Sequence, residues 1–180
     1  MNLPSAIVFV FLYTHTSPGV DQAKSALINQ IRKAESSGTE SALFLLHEFV
    51  DDPAFQRENL EKRIGKIRSI DDPEKETLDQ AIHNAGSEVD SRRYDHPANF
   101  HLVLFTDSAQ SDSEWKTTLM AGYALMNPGH YPNGDRDYVL FSSFDIVAYD
   151  ADGTTISRLQ ELAKKVHGKL EILSSSSTPQ

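Results

Sequence analysis

The sequence predicts one α/β domain with three layers, in which a doubly wound, mostly parallel β-sheet lies between two layers of helices. Continuously apolar runs, typical of strands buried on both faces, recur along the chain. Between them lie segments in which apolar residues repeat with the period of a helix. The length of 180 residues suits a single domain of this class.

The apolar run Ala6–Tyr13 is the clearest strand and is expected at the centre of the sheet. A short return strand at Ala54–Arg57, after the turn at Asp51–Pro53, would add one antiparallel edge strand. The other segments with strand-like patterns are Ser41–Phe49, Phe100–Thr106, Tyr138–Phe141, Phe144–Tyr149 and Leu170–Leu173.

Helical periodicity places apolar residues on one face in five segments between these strands. Gly168 follows the last of them, where a C′ glycine is common. Asp90–Asn99 and Asn127–Asp137 are polar and are expected to be loops. The five apolar faces are Ala23, Ala26, Leu27, Ile31 and Ala34; Leu60, Ile64 and Ile67; Leu78, Ala81, Ile82, Ala85 and Val89; Trp115, Leu119, Met120, Tyr123 and Met126; and Ile156, Leu159, Leu162, Ala163 and Val166.

The predicted domain spans residues 1–173, and the serine-rich stretch 174–180 is expected to be a disordered tail. The net charge of −9 argues against nonspecific binding to nucleic acid or to anionic membranes. The chain has no cysteine, which excludes disulfides and thiolate metal sites. The N-terminal apolar run lacks the flanks of a signal peptide, so a cytoplasmic location is expected.

Two loops are expected to form the ligand site. In an open α/β sheet, ligands bind at the carboxyl ends of the strands. Tyr13–Gly19 follows the first strand, and Asp107–Asp112 follows the strand that ends at Thr106.

Several segments in order resemble parts of a von Willebrand factor A domain. An apolar strand, a hydroxyl-rich loop and the helix VDQAKSALINQI resemble its opening, and ETLDQAIHNA resembles the helix after its threonine loop. HLVLFTDSAQSD is similar to its fourth strand and terminal aspartate, and FDIVAYDADGTTISRLQELAKKVHGKLEIL to its closing strand, helix and strand. The likeness covers nearly the whole chain, with a longer insertion around Pro128–Asp137. It implies a Rossmann-like fold and a protein-binding function.

The resemblance also implies a metal-ion-dependent adhesion site, which departs here from the family's pattern. The family's first aspartate falls on Leu12, its two serines on Thr14 and Thr16, its threonine on Glu76 or the neighbouring Thr77, and its last aspartate on Asp107. Mg²⁺ usually takes one or two carboxylates in an octahedral oxygen shell, and Leu12 supplies none. Glu76 could replace that carboxylate only from a different direction, so weak or absent binding of Mg²⁺ or Mn²⁺ is expected. A structural alternative for Asp107 is to cap the helix that starts near Ser113.

The function that follows is a non-enzymatic protein–protein interaction module. Its partner would be another protein, not nucleic acid or a membrane. Gly-x-Ser-x-Gly, Walker A and Gly-x-Gly-x-x-Gly motifs are absent. The residues expected to contact the partner, besides the metal positions, are His15, Ser17, Ser108 and Asp112.

Two alternatives stay open. Tyr13–Gly19 also resembles a flavodoxin-type phosphate loop, in which Thr14–Ser17 would hold the phosphate of FMN in an electron carrier. The chain could instead be a purely structural subunit of a larger assembly.

His47 and His101 alternate with apolar residues and are expected to be hydrogen-bonded strand histidines without a ligand role.

Overall fold

A parallel β-sheet forms the centre of the computed structural model. The structure describes residues 3–12, 19–45, 60, 64, 77–92, 97–108, 112–127 and 140–174. In this part of the chain the sheet has five strands in the order β2-β1-β3-β4-β5, and every pair is parallel. The strands are β1 (Ser5–Leu12), β2 (Glu40–Leu45), β3 (Asn99–Thr106), β4 (Ser143–Tyr149) and β5 (Leu170–Leu173).

Helices cover both faces of this sheet. Leu60 and Ile64, each described singly, are also helical and buried. None of the helices in the described segments is long and apolar enough to cross a membrane. The four helices with described bounds are α1 (Gly19–Ser36), α2 (Leu78–Arg92), α3 (Asp112–Met126) and α4 (Gly153–Lys165).

The side chains of β1 alternate between two apolar clusters, as expected of a central strand. Val8, Val10 and Leu12 belong to a cluster shared with α2, α3 and α4. Phe9 and Phe11 belong to the cluster on the α1 face. The predicted three-layer architecture is therefore confirmed.

The predicted antiparallel edge strand does not appear in the described sheet. Ala54–Arg57 lies outside the described residues, as do residues 46–49 at the end of the predicted second strand. The predicted tail lies outside as well from residue 175 onward. Ser174 is described, and its carbonyl oxygen accepts a hydrogen bond from the Gln22 side chain at 2.7 Å.

The prediction of a strand at Tyr138–Phe141 is wrong for Leu140 and Phe141, the two residues of this range that the structure describes. Leu140 and Phe141 precede β4 and are not in a strand. Their backbone N–H groups donate to the Leu125 carbonyl at 3.2 and 3.4 Å. Both side chains are buried, so their apolar character reflects packing at the end of α3 and not strand pairing.

The core face of α3 also differs from the predicted stripe. Met120 is 54% exposed, whereas Thr118 is buried, as are Trp115 and Leu125. Gly122 lies on the same buried face, and a Cβ there would come within 2.8 Å of the Leu162 side chain. Small residues let α3 approach α4 closely, and the hydrophobic pattern alone does not show this.

The end of α4 differs from the prediction by one position. His167, and not Gly168, takes the left-handed conformation, with φ of 54°. The Gly168 N–H donates to Ala163 and the His167 N–H to Lys164, which is a Schellman motif. A Cβ on Gly168 would collide with the Phe144 carbonyl, so close approach explains this glycine.

The predicted loop at Asp90–Asn99 is shorter than expected. Helix α2 continues to Arg92, and β3 begins at Asn99. The other predicted elements with described bounds agree with the structure to within a few residues, and β5 coincides with its prediction.

Candidate functional site at the carboxyl edge of the sheet

The carboxyl edge is the end of the sheet at which β1, β3 and β4 finish, at Leu12, Thr106 and Tyr149. Strand β2 lies on one side of β1 and β3 on the other. Chain connections diverge at such a switch point and leave a crevice outside the strand ends. Helices that connect parallel strands run back along the sheet, so the N-termini of α1 to α4 lie at this edge too.

Two consecutive residues of the chain hold both ends of the segment between β1 and α1. The Tyr149 hydroxyl donates to the Leu12 carbonyl at 2.7 Å, in a buried hydrogen bond. The Asp150 carboxylate accepts from the Gly19 N–H at 2.8 Å. Residues 13–18 lie outside the described residues, but their two points of attachment are therefore defined by the end of β4.

A row of aromatic rings positions Tyr149 for this contact. The Phe11 and Tyr149 rings are stacked with centroids 5.6 Å apart, and Phe11 and Phe105 with centroids 5.9 Å apart. All three side chains are fully buried on the α1 face. Stacked rings of this kind stabilise each other beyond their buried area, so the hydroxyl of Tyr149 is held by packing on three neighbouring strands.

Asp150 reaches α1 through an uncommon backbone conformation. Its φ is 46°, in the left-handed region that residues other than glycine seldom adopt. A carboxylate at a helix N-terminus is stabilised by the helix dipole and by the N–H groups there. Gly19 is matched to this contact, because a Cβ at position 19 would collide with the Asp150 carboxylate.

Asp107 is buried at the end of β3. Only 3% of its surface is exposed. The preceding Thr106 fixes the local turn, since its hydroxyl donates to the Ser108 carbonyl at 3.0 Å and accepts from the Ser108 N–H at 3.3 Å. Helix α3 begins at Asp112, so Asp107 lies before the helix, in the turn that follows β3.

Leu12 lies beside this aspartate but faces the core. It pairs with Thr106 in the register of β1 and β3, which makes Asp107 the next residue beyond the pair. The Leu12 side chain is 1% exposed and belongs to the same apolar cluster as Leu78 and Ala81 of α2. An ionised ligand therefore has no place at position 12.

Thr77 has a structural role at the start of α2. The Gln80 side chain accepts from the Thr77 N–H at 3.1 Å, and the Thr77 carbonyl accepts from Ala81 at 3.0 Å. This is the glutamine half of a capping box, which the sequence Thr-Leu-Asp-Gln encodes. The arrangement places Thr77 at the N-cap position of α2, at the carboxyl edge, with its backbone N–H bound by Gln80.

The structure describes only part of the predicted site. Asp107 and Ser108 lie together after β3, and the described backbone of Asp112 begins α3. The contributions of Gly19, Tyr149 and Asp150 were not predicted. Asp150 directly follows the strand that ends at Tyr149, and this position could have indicated a role at the carboxyl edge. The predicted residues outside the described part are Thr14, His15, Thr16, Ser17 and Glu76.

Of the residues expected to hold magnesium, the structure describes Thr77 and Asp107. They supply one buried carboxylate, Asp107, next to the apolar Leu12, and one hydroxyl residue, Thr77, at the start of α2. Within the described residues, no group of three or more His, Cys, Asp or Glu side chains is placed to hold a metal ion.

In comparisons with known proteins, no family model matches the sequence and no curated protein matches it.

Proposed function

We propose that the chain is a protein-binding module of the von Willebrand factor A type, without enzymatic activity, that recognises its partner at the carboxyl edge with weak or no use of a divalent metal. The observation that carries this proposal is the buried Leu12 beside Asp107. In a metal-dependent adhesion site the position of Leu12 would hold a carboxylate. Its replacement by a core side chain removes a metal ligand but leaves the loop-bearing edge of the fold in place.

The frame of this edge supports a recognition role. The β1–α1 segment is attached at Leu12 and Gly19 by hydrogen bonds from Tyr149 and to Asp150. The turn at Thr106–Ser108 is closed by two hydrogen bonds of its own. Binding residues on loops are effective when a rigid scaffold positions those loops. The two loops predicted to contact the partner, Tyr13–Gly19 and Asp107–Asp112, therefore start from backbone that hydrogen bonds hold in place.

The arrangement at α1 disfavours the FMN alternative. In a flavodoxin-type site, N–H groups at the start of the first helix bind the phosphate. Here the Gly19 N–H donates to the Asp150 carboxylate, so a negative charge of the protein lies where a phosphate would approach. The Asp150 carboxylate and a phosphate bound at the start of α1 would both be negatively charged and would repel each other.

Partner binding with matched surface variants tests the proposal. The chain is used to isolate an interacting protein, and the dissociation constant of the purified pair is measured by calorimetry in EDTA. Ser108→Arg adds bulk and charge at the carboxyl edge. Ser36→Arg adds the same side chain at the last residue of α1, at the opposite end of the sheet. We expect Ser108→Arg to weaken binding by about tenfold or more and Ser36→Arg to leave it unchanged.

Asp107→Ala serves as a second variant, with its folding verified by circular dichroism and thermal unfolding. We expect the folded variant to bind the partner more weakly. Normal binding by both Ser108→Arg and a folded Asp107→Ala would reject this face, and would favour a structural subunit whose contacts avoid the carboxyl edge. Loss of binding in EDTA would reject metal-independent recognition.

A further inference from the structure

A second cleft lies at the other end of the sheet, between α1 and the first halves of the strands. Its volume is about 780 Å³, within the range of pockets that hold small organic ligands. The second half of α1 forms one wall, with Lys33 among its lining residues. The floor is formed by the α1 face of β1, β3, β4 and β5, far from the carboxyl edge described above.

The floor of this cleft has an unusual polarity for a covered parallel sheet. Strands in such sheets are normally apolar on both faces, as the carboxyl half of the same face is. In the amino half, the register places Ile7, His101 and Ser143 side by side, followed by Val103 beside Asp145. These five side chains are half-exposed. Polar groups in a core layer are expected where a site has a function.

Two of the polar groups are fixed by the protein. His101 Nδ1 lies 2.9 Å from the Ser143 hydroxyl, as the sequence prediction of a hydrogen-bonded strand histidine requires. One oxygen of the Asp145 carboxylate accepts from the Lys169 N–H at 2.8 Å. Orientation before binding reduces the entropy that a ligand must lose. Both groups are therefore positioned to recognise a ligand that enters the cleft.

The charges that line the cleft favour a positively charged ligand. Asp145 lies on the floor and Glu171 on the exposed rim formed by β5, whereas Lys33 is the one lysine or arginine among the described lining residues. Ile7 and Val103 supply an apolar surface next to these acids. The net charge of −9 also raises the local concentration of cations.

We propose that this cleft binds a small organic cation with an apolar body, such as a primary amine on an aromatic frame. The ammonium group pairs with Asp145 and Glu171, and the apolar body lies against Ile7 and Val103. His101 contacts the ligand through the ring edge that does not face Ser143. The proposal concerns the amino end of the sheet and is independent of the proposed protein-binding face.

The test uses 2-phenylethylamine as the probe and 2-phenylethanol as its uncharged analogue. Each is titrated into the ¹⁵N-labelled chain and followed by two-dimensional NMR. We expect saturable shifts for the amine, centred on the amides of His101, Val103 and Asp145, and no saturable shifts for the alcohol. A charge-assisted hydrogen bond predicts that Asp145→Asn, which keeps the acceptor for Lys169, weakens amine binding about tenfold.

Two further variants separate local from overall charge effects. Lys33→Gln removes the cation on the α1 wall, and we expect it to strengthen amine binding about two- to threefold. Asp21→Asn changes the net charge as Asp145→Asn does, but lies at the other end of α1, and we expect it to have no effect. The proposal is overturned by an absence of saturable shifts with the amine, by equal binding of the alcohol, or by equal losses in Asp145→Asn and Asp21→Asn.

Discussion

The hydroxyl of Tyr149 lies 2.7 Å from the carbonyl oxygen of Leu12, so the last residue of β4 holds the last residue of β1 across the intervening strand β3. The next residue, Asp150, accepts a hydrogen bond from the first residue of α1. The carboxyl edge is thus organised from β4, which is two strands away from the loop that it positions.

Removal of the Tyr149 hydroxyl tests the first of these contacts. Tyr149→Phe keeps the stacked ring but leaves the buried Leu12 carbonyl without that donor. We expect the free energy of unfolding to fall by about 1–2 kcal/mol, measured by urea denaturation. An unchanged stability in Tyr149→Phe would show that the contact does not stabilise the edge.

The left-handed backbone at Asp150 predicts an order of stability between two variants. Asp150→Ala and Asp150→Gly both lose the hydrogen bond to Gly19. Alanine also carries the steric cost of a φ of 46°, whereas glycine does not. We expect Asp150→Ala to be about 1 kcal/mol less stable than Asp150→Gly. Thermal and urea unfolding of both variants measure the difference, and equal stabilities would contradict the described conformation.

Two glycines of the α4 region are expected to respond oppositely to alanine. A Cβ on Gly168 would meet the Phe144 carbonyl, whereas a Cβ on Gly153 would meet nothing within 4 Å. We expect Gly168→Ala to lower the free energy of unfolding by about 2 kcal/mol or more. Gly153→Ala is expected to raise it by a few tenths to about 1 kcal/mol through helix propensity. Similar effects of both substitutions would argue against the close packing of β4 on the end of α4.

The N-cap of α4 predicts a local pH dependence. The hydrogen bond from the Thr155 N–H lowers the pKa of Asp152 below its ordinary value of 3.8. Because the folded-state pKa is lowered, the stabilisation by the ionised cap is complete above the ordinary value and is lost as the pH falls through the lowered one. We expect wild type to lose stability relative to Asp152→Asn between about pH 5 and pH 2, measured by urea unfolding. Parallel pH curves for the two proteins would contradict this.

Periodicity was sufficient to predict most of the architecture. Ala6–Tyr13 was identified as a strand because burial on both faces leaves a continuous apolar run. Leu170–Leu173 was identified from its strand-like pattern after the last helix, and its residues are half-buried or exposed. The face of α3 was predicted less well, since Thr118 and Gly122 fill it in place of large apolar residues. Leu140 and Phe141 have a strand-like pattern, yet they pack at the end of α3. Hydrophobicity predicts burial at such positions but does not distinguish a strand from a helix terminus.

A residue of the candidate site could be predicted only where its own position in the sequence indicates its place in the fold. Asp107 ends an apolar strand, and this placed it correctly at the carboxyl edge. The contacts of Tyr149 with Leu12 and of Asp150 with Gly19 join positions more than 130 residues apart. Such pairs depend on the order of the strands, which the hydrophobic pattern of a single sequence does not specify.

Thermal unfolding in EDTA, and then in excess Mg²⁺ or Mn²⁺, tests most directly whether the carboxyl edge acts without a tightly bound divalent metal. A metal present at about 100 times its dissociation constant would add about 2.7 kcal/mol to the stability. For a domain of this size the melting temperature would then rise by roughly 5–10 °C. We expect no such rise for the wild type. A rise of that size that Asp107→Ala abolishes would contradict the account, because it would mean that other residues restore the metal site despite Leu12.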